Sequence, residues 1–204
     1  IPEIYQQSSH YYNDWNSIRV EKQKMQKEFA AKTAYSDFKV FEQIIKNLPR
    51  DIHLQYGNSS AIRYAQLFDH PETVSVFCNR GTSGIDGSTS TAAGAAMVSP
   101  KQTLLITGDV SFFYDSNGLW NNYLPENFRI ILINNGGGNI FKIIPGPESS
   151  GVLEEIFETV HRLNASHLAA MYGFGYAKVN NLEELSESLS RFFLPSGRPE
   201  ILEI

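Results

Sequence analysis

The sequence predicts an α/β fold, a mostly parallel six-stranded sheet with helices on both faces. Three observations carry this. Short apolar, β-rich runs alternate with helix-favouring segments about six times along the chain. Runs such as TLLIT (103–107) and RIILI (129–133) lack polar alternation, as strands covered on both faces do. Four runs end in glycine-rich or small polar sequence, namely GNSS, NRGTSGIDG, GDVS and NNGGGN, which suits the loop-bearing edge of a parallel sheet.

Each element follows from local pattern. Residues 1–17 are rich in amides and tyrosines without periodicity and read as a linker. The next segment, IRVEKQKMQKEFAAKT, is charged and helix-favouring and reads as a surface helix. In SDFKVFEQIIKNLP, residues Phe38, Phe41, Ile44, Ile45 and Leu48 form a helical stripe, with Ser36 placed to cap and Pro49 to stop. Strands are then expected at IHLQY (52–56), TVSVFC (73–78), TLLIT, RIILI, GYAKV (175–179) and EILEI (200–204). Helices are expected at Asn58–Phe68, Ser88–Val98, Asn117–Tyr123, Ser166–Tyr172 and Leu182–Phe193. The small residues of STSTAAGAAMV suit close packing.

The 204 residues suffice for one sizeable α/β domain with a short extra segment. A net charge of −5 disfavours general nucleic-acid binding, and no apolar run of membrane-spanning length exists. Cys78 is the only cysteine, so no internal disulfide forms. A reducing, cytoplasmic setting fits, with Cys78 expected as a small buried hydrophobe. The chain opens on Ile-Pro-Glu rather than Met, which suggests a fragment or a processed chain.

Parallel strands bring these four polar ends to one edge, where ligands bind in such sheets. Asp109 there offers a hard anionic oxygen and Asn135 a neutral amide oxygen, and the glycines beyond allow a sharp turn. One carboxylate with neutral oxygens is a partial shell for Mg²⁺, and glycine-rich turns supply N–H groups for a diphosphate. The residues alone leave open that Asp109 caps a helix or turn and that NNGGG is a plain surface loop. Neither a GxGxxG fingerprint nor a Walker A loop is present.

Gly108-Asp109 followed, after a helix and a strand, by Asn134-Asn135 resembles the signature of the thiamine-diphosphate enzyme family. Val110 stands where many members carry glycine. The combination of GNS (57–59), NRGTSGIDG (79–87), GDVSFFYDSNGL (108–119) and NNGGGNIF (134–141) is similar to the synthases of menaquinone biosynthesis within that family. The resemblance runs from about residue 52 to the end. It implies a transferase that uses thiamine diphosphate with Mg²⁺ or Mn²⁺, decarboxylates 2-oxoglutarate and joins the succinyl unit to isochorismate.

Residue by residue, the resemblance implies metal ligation by Asp109, Asn135 and the backbone carbonyl of Gly137. It puts Asn58, Gly108, Ser111, Gly138 and Ile140 on the cofactor, and makes Ile85 the apolar prop that bends it. It gives Arg63 and Arg80 to substrate carboxylates, makes Ser59 a substrate-side hydroxyl, and places Phe141 and Ile144 among the apolar surroundings of the reacting centre. An arginine can grip a carboxylate through two parallel hydrogen bonds. Plainer readings stand beside these: a surface salt bridge for Arg63, ordinary core positions for Phe141 and Ile144, and helix capping for Asp115 and Ser116. The five histidines, His10, His53, His70, His161 and His167, show no ligand spacing, and none is given a catalytic role.

The family also needs a glutamate against the cofactor's aminopyrimidine ring, and no pyrimidine-binding domain is legible in this chain. Residues 1–35 are therefore expected to be a linker and helix from a preceding middle domain, and 36–204 the diphosphate-binding C-terminal domain. The missing half of the site would come from the pyrimidine-binding domain of a second subunit in a homodimer or homotetramer. The chain by itself is expected to be inactive. Other readings are an acetolactate synthase-like enzyme or 2-oxoacid decarboxylase, which has less need of two arginines, and a non-catalytic module.

Overall fold

The structure, a computed structural model, describes residues 10–204. Helix α1 spans Tyr11–Lys32, so residues 11–17 are helical rather than linker. Once the charged segment is helical, extending it adds one hydrogen bond per residue without a new nucleus. Here Ser17 Oγ bonds back to Asn13 O at 2.8 Å, and Tyr11 meets Trp15 one turn on at 6.1 Å. Residues 1–9 of the expected linker lie outside the described residues. Only Ala30 of α1 is buried, as expected for a surface helix. It touches the rest through Phe29, edge-on to Phe38 at 5.1 Å, and through Gln23 on Asp69 at 2.5 Å.

Helix α2, Asp37–Lys46, buries Phe41, Ile44 and Ile45 of the expected stripe, with Val40 beside them, while Phe38 is only half-buried. Ser36 occupies the cap position but does not cap: its hydroxyl donates back to Ala34 O at 3.0 Å. The helix ends at Asn47, whose side chain bonds Gln43 O, just ahead of Pro49.

The strands are β1 (His53–Tyr56), β2 (Ser75–Cys78), β3 (Thr103–Gly108), β4 (Phe128–Ile133), β5 (Gly175–Lys178) and β6 (Glu200–Glu203). They form one sheet in the order β2-β1-β3-β4-β6-β5, and every pairing is parallel. Alternation along the strands divides the core in two. Leu54, Tyr56, Leu104, Ile106, Ile131 and Leu202 pack under α2, α3 (Ser60–Ala65) and α7 (Leu182–Phe192). Leu105, Phe128, Ile130, Leu132 and Ile201 pack under α4 (Ser88–Val98), α5 (Asp109–Tyr114) and α6 (Ser166–Tyr172). The small residues Ala92, Ala93 and Ala96 let α4 lie close to β3. The two edge strands are the exceptions to two-sided burial, β2 with Val76 and Phe77 exposed and β5 with Ala177 and Lys178 exposed.

Two helices differ from expectation. The first, expected at Asn58–Phe68, is confined to Ser60–Ala65, because Ser59 takes a left-handed φ of 70° and residues 67–68 close with tighter turns. The second, expected at Asn117–Tyr123, is replaced by α5, beginning at Asp109, and a 3₁₀ turn at Ser116–Leu119. Trp120 and Tyr123 are exposed, so that stretch has no apolar face to hold it helical. Asp115 does cap, but across the fold: its carboxylate accepts from Ser90 N at 2.7 Å in the first turn of α4. A π-helical turn at Leu153–Glu158 has no signature in the sequence.

Arg129 is fully buried at the start of β4. Its guanidinium donates to the carbonyls of Phe192 (2.7 Å) and Leu194 (2.8 Å), tying the end of α7 to the sheet.

Candidate functional site

The order β2-β1-β3 places the chain's reversal between β1 and β3. From β1 the chain moves outward to β2, then returns across to β3, so the loops after β1 and β3 diverge and leave a crevice. A cavity of about 470 Å³ sits there. Gly57 lets the two strands end this close. A Cβ on it would lie 2.5 Å from Thr107 Oγ1 and 3.1 Å from Thr107 Cα.

All the residues to which the resemblance gives a metal, cofactor or substrate role line this cavity. Asn58, Ser59 and Arg63 come from the end of β1 and from α3, and Arg80 and Ile85 from the loop after β2. Gly108, Asp109 and Ser111 come from the start of α5, and Asn135, Gly137, Gly138, Ile140, Phe141 and Ile144 from the segment after β4.

Asp109 is buried, and three backbone N–H groups hold it. Oδ1 accepts from Val110 N at 2.7 Å, and Oδ2 from Gly136 N at 2.8 Å and Gly137 N at 2.9 Å. Burial pushes its carboxyl above the ordinary range, against the pull of these bonds and of His161. A carboxylate has about four acceptor positions, so one on Oδ1 remains. No Lys or Arg pairs with Asp109 among the described residues. A buried carboxylate of this kind is suited to a bound cation.

Asn135 is exposed, and its amide N–H donates to Asp37 Oδ2 at 2.8 Å, while its oxygen has no hydrogen-bond partner among the described residues. Gly137, at φ 155°, has the Glu158 carbonyl where a Cβ would stand, 2.8 Å away, so only glycine can make this turn. Carboxylate, amide oxygen and backbone carbonyl form an all-oxygen donor set of the kind hard divalent cations take. Among the described residues no cluster of three His, Cys, Asp or Glu exists, so such a cation would complete its shell from ligand and water.

The loop after β2 is fastened rather than free. Asn58 is buried, and its amide donates to Asn79 O at 2.9 Å and Gly84 O at 2.7 Å. Its oxygen accepts from Arg80 Nη1 at 3.4 Å and lies 3.6 Å from the Cys78 thiol. Both amide hydrogens are thereby committed, which makes Asn58 a clamp on this loop. Ser111 Oγ donates to Ile85 O at 3.2 Å and pins the apolar Ile85 from the other side. Cys78 is half-buried rather than buried, because it sits on the edge strand. Arg63 and Arg80 are exposed at the cavity, and neither has an ion-pair partner among the described residues, so the salt bridge open to Arg63 is not formed. Phe141 packs on Phe157 at 5.6 Å, and both line the cavity.

Sequence reasoning missed several neighbours. Asp37 and Tyr64 line the wall, with Tyr64 stacked on Phe41 at 5.6 Å. His161 Nε2 stands 3.3 Å from Asp109 Oδ2, outside hydrogen-bonding direction. Its Nδ1 accepts from Leu163 N at 3.2 Å, so in the neutral ring the proton is on Nε2. Glu158, buried under the Gly137 turn, pairs with Lys142 at 2.5 Å. None of these positions has a spacing that ties it to the strand-end motifs. The one signal was Asp37's place at the start of a strongly amphipathic helix.

The profile of the thiamine pyrophosphate enzyme C-terminal TPP-binding domain matches residues 57–204. The chain is 52% identical over 197 residues to a 2-succinyl-5-enolpyruvyl-6-hydroxy-3-cyclohexene-1-carboxylate synthase of Flavobacterium johnsoniae, covering 97% of this chain and 36% of that protein. It is 53% identical over 206 residues to the synthase of the same name from Flavobacterium psychrophilum, covering 100% of this chain and 37% of the relative. The Porphyromonas gingivalis synthase of that name is 43% identical over 195 residues, with 95% and 34% covered. The chain thus spans about a third of the length of these curated relatives. No described helix is long and apolar enough to cross a membrane. With the family profile running through all four strand-end motifs around the cavity, the chain belongs to the thiamine pyrophosphate enzymes, as their C-terminal TPP-binding domain.

Proposed function

We propose that the parent protein is a thiamine-diphosphate-dependent synthase that decarboxylates 2-oxoglutarate and adds the succinyl unit to isochorismate. The observation that carries this reading is a pair of unpaired guanidinium groups, Arg63 and Arg80, on the cavity that also holds Asp109 and Asn135. Both substrates are polycarboxylates, and two arginines without carboxylate partners are matched to them.

Asp109 through its remaining Oδ1 position, Asn135 through its amide oxygen and Gly137 through its carbonyl would hold Mg²⁺ or Mn²⁺. The residues fit this ion, being oxygen donors with a single carboxylate. Bound thiamine diphosphate supplies the carbanion chemistry that the side chains lack. Ile85, fixed by Ser111, offers an apolar wall for its ring system, and Gly108 and Gly138 let backbone approach the diphosphate. Phe141, Ile144 and Ile140 exclude water from the reacting centre, and Ser59 sits beside Arg63 to share a substrate carboxylate.

The chain supplies one half of such a site. The other half, with the glutamate for the cofactor ring, is assigned to the pyrimidine-binding domain of a second subunit in a homodimer or homotetramer, in the cytoplasm. Residues 1–35 are assigned to the connection with a middle domain.

The test uses the full-length parent protein with thiamine diphosphate and Mg²⁺. Isochorismate consumption is followed with 2-oxoglutarate and, separately, with pyruvate. Consumption with 2-oxoglutarate alone supports the synthase. Turnover of pyruvate without loss of isochorismate would replace it with another thiamine-diphosphate activity.

A further inference from the structure

We propose that Asp37 is the positioning residue for Asn135, turning its amide so that the oxygen faces the divalent cation. This rests on the metal-diphosphate reading of the cavity. An asparagine side chain has an oxygen and an NH₂ of nearly equal size, and an exposed one in water has little reason to prefer either direction. Asn135 is exposed, and its loop is fixed by bonds that leave its own amide out: Gly136 N and Gly137 N on Asp109, His161 N on Gly136 O at 3.0 Å, the Asn134 side chain on Leu163 O at 2.8 Å, and the Asn139 side chain on the Asn135 backbone O at 3.3 Å. Among the described residues the amide itself has one partner, the carboxylate of Asp37, at 2.8 Å.

An ionised carboxylate only accepts hydrogen bonds. The NH₂ of Asn135 must therefore face Asp37, and the oxygen must face the other way. Asp37 is well placed to enforce this. It is the first residue of α2, which is anchored by buried Val40, Phe41 and Ile44 and begins with Val40 N on Ser36 O at 2.9 Å. No cation among the described residues competes for it in an ion pair. The titratable groups that feel its charge are Tyr35 and Tyr64, with Glu184 acting on Tyr35, and burial raises the pKa of Asp37 itself against the pull of its bond from Asn135. Asp37 also lies outside residues 57–204, the span of the family profile, so its role is not written in the family motifs.

The experiment measures Mn²⁺ binding by electron paramagnetic resonance in the full-length parent protein with saturating thiamine diphosphate, for the unmodified protein and Asp37→Asn. An amide at position 37 both donates and accepts, so it no longer dictates the direction of Asn135. The expected result is a roughly 10–100-fold weaker Mn²⁺ affinity, as for other groups that orient a metal ligand, with the melting temperature of the metal-free protein unchanged. Affinity within twofold of the unmodified protein would overturn the proposal. So would a loss matched by a lower melting temperature without metal, which marks a purely structural role for the start of α2. If Asp37→Asn does not fold, Asp37→Ser leaves the same ambiguity of direction and is read by the same outcomes. Failure of the unmodified protein to bind Mn²⁺ with thiamine diphosphate would instead sink the cofactor reading itself.

Discussion

Gly57 and Thr107 stand so close at the ends of β1 and β3 that a single added carbon would fall 2.5 Å from the threonine hydroxyl. The contact is to a buried threonine in a central strand, and backbone lies just behind it at 3.1 Å. This closeness sets the width of the crevice in which the candidate site lies.

Gly57→Ala should therefore force β1 and β3 apart. The expected loss is about 1–3 kcal/mol, the range for overpacking a tight interior, read as a lower midpoint in urea unfolding. An unchanged midpoint would mean that the strand ends accommodate a methyl group without cost.

Asn58→Ala removes the clamp on Asn79 O and Gly84 O and leaves both carbonyls without that partner. The expected cost is about 2–3 kcal/mol, with faster hydrogen exchange localised to residues 79–85. Exchange that stays slow there would show that the loop is held by something other than Asn58.

Glu42 gives the fold a pH dependence of known sign. Burial acts to raise its pKa, but hydrogen bonds from Lys39 (2.7 Å) and Lys46 (2.6 Å) outweigh it, and the net shift is downward from 4.5. A carboxylate depressed in the folded state stabilises fully above its unfolded pKa and loses that contribution as pH falls through the folded value. Glu42→Gln should cost about 1 kcal/mol near pH 7, and the difference from the unmodified protein should shrink once the pH drops below 4.5. Thermal melts at both pH values check this.

On the proposed synthase activity, Arg80→Ala should lower kcat/KM for 2-oxoglutarate roughly 10–100-fold, the loss expected when a charge-assisted contact to substrate is removed. Steady-state kinetics of the full-length protein would show it. A value within twofold would remove Arg80 from substrate recognition.

The sheet was legible because its signals are local. The uninterrupted apolar runs of β3 and β4 and the glycine-polar sequence after each strand fix strand, order of elements and edge together. The lining of the cavity was legible for the same reason, since Asp109, Asn135, Asn58 and Arg80 all sit within strand-end motifs and come together there. What the sequence hid is long-range. Asp37 lies 98 positions from Asn135, and Asp115 reaches 25 positions back to α4. His161 approaches Asp109 only because the segment after the π-helical turn folds back beneath the Gly136-Gly137 loop, through His161 N on Gly136 O at 3.0 Å. Helix ends were misread where side chains chose distant partners over local caps, as Asp115 did for α4. The edge strand β2 shows the opposite failure, since an apolar run alone does not reveal that Val76 and Phe77 are left uncovered.

The central claim is that the crevice between β1 and β3 holds thiamine diphosphate through a divalent cation on Asp109. Calorimetric titration of the cofactor into the full-length protein, with Mg²⁺ and with chelator, tests it most directly when repeated on Asp109→Asn. The account predicts saturable binding that needs Mg²⁺ and is lost in the variant while its melting curve remains cooperative. Binding of equal strength in the variant, or binding indifferent to Mg²⁺, would contradict it.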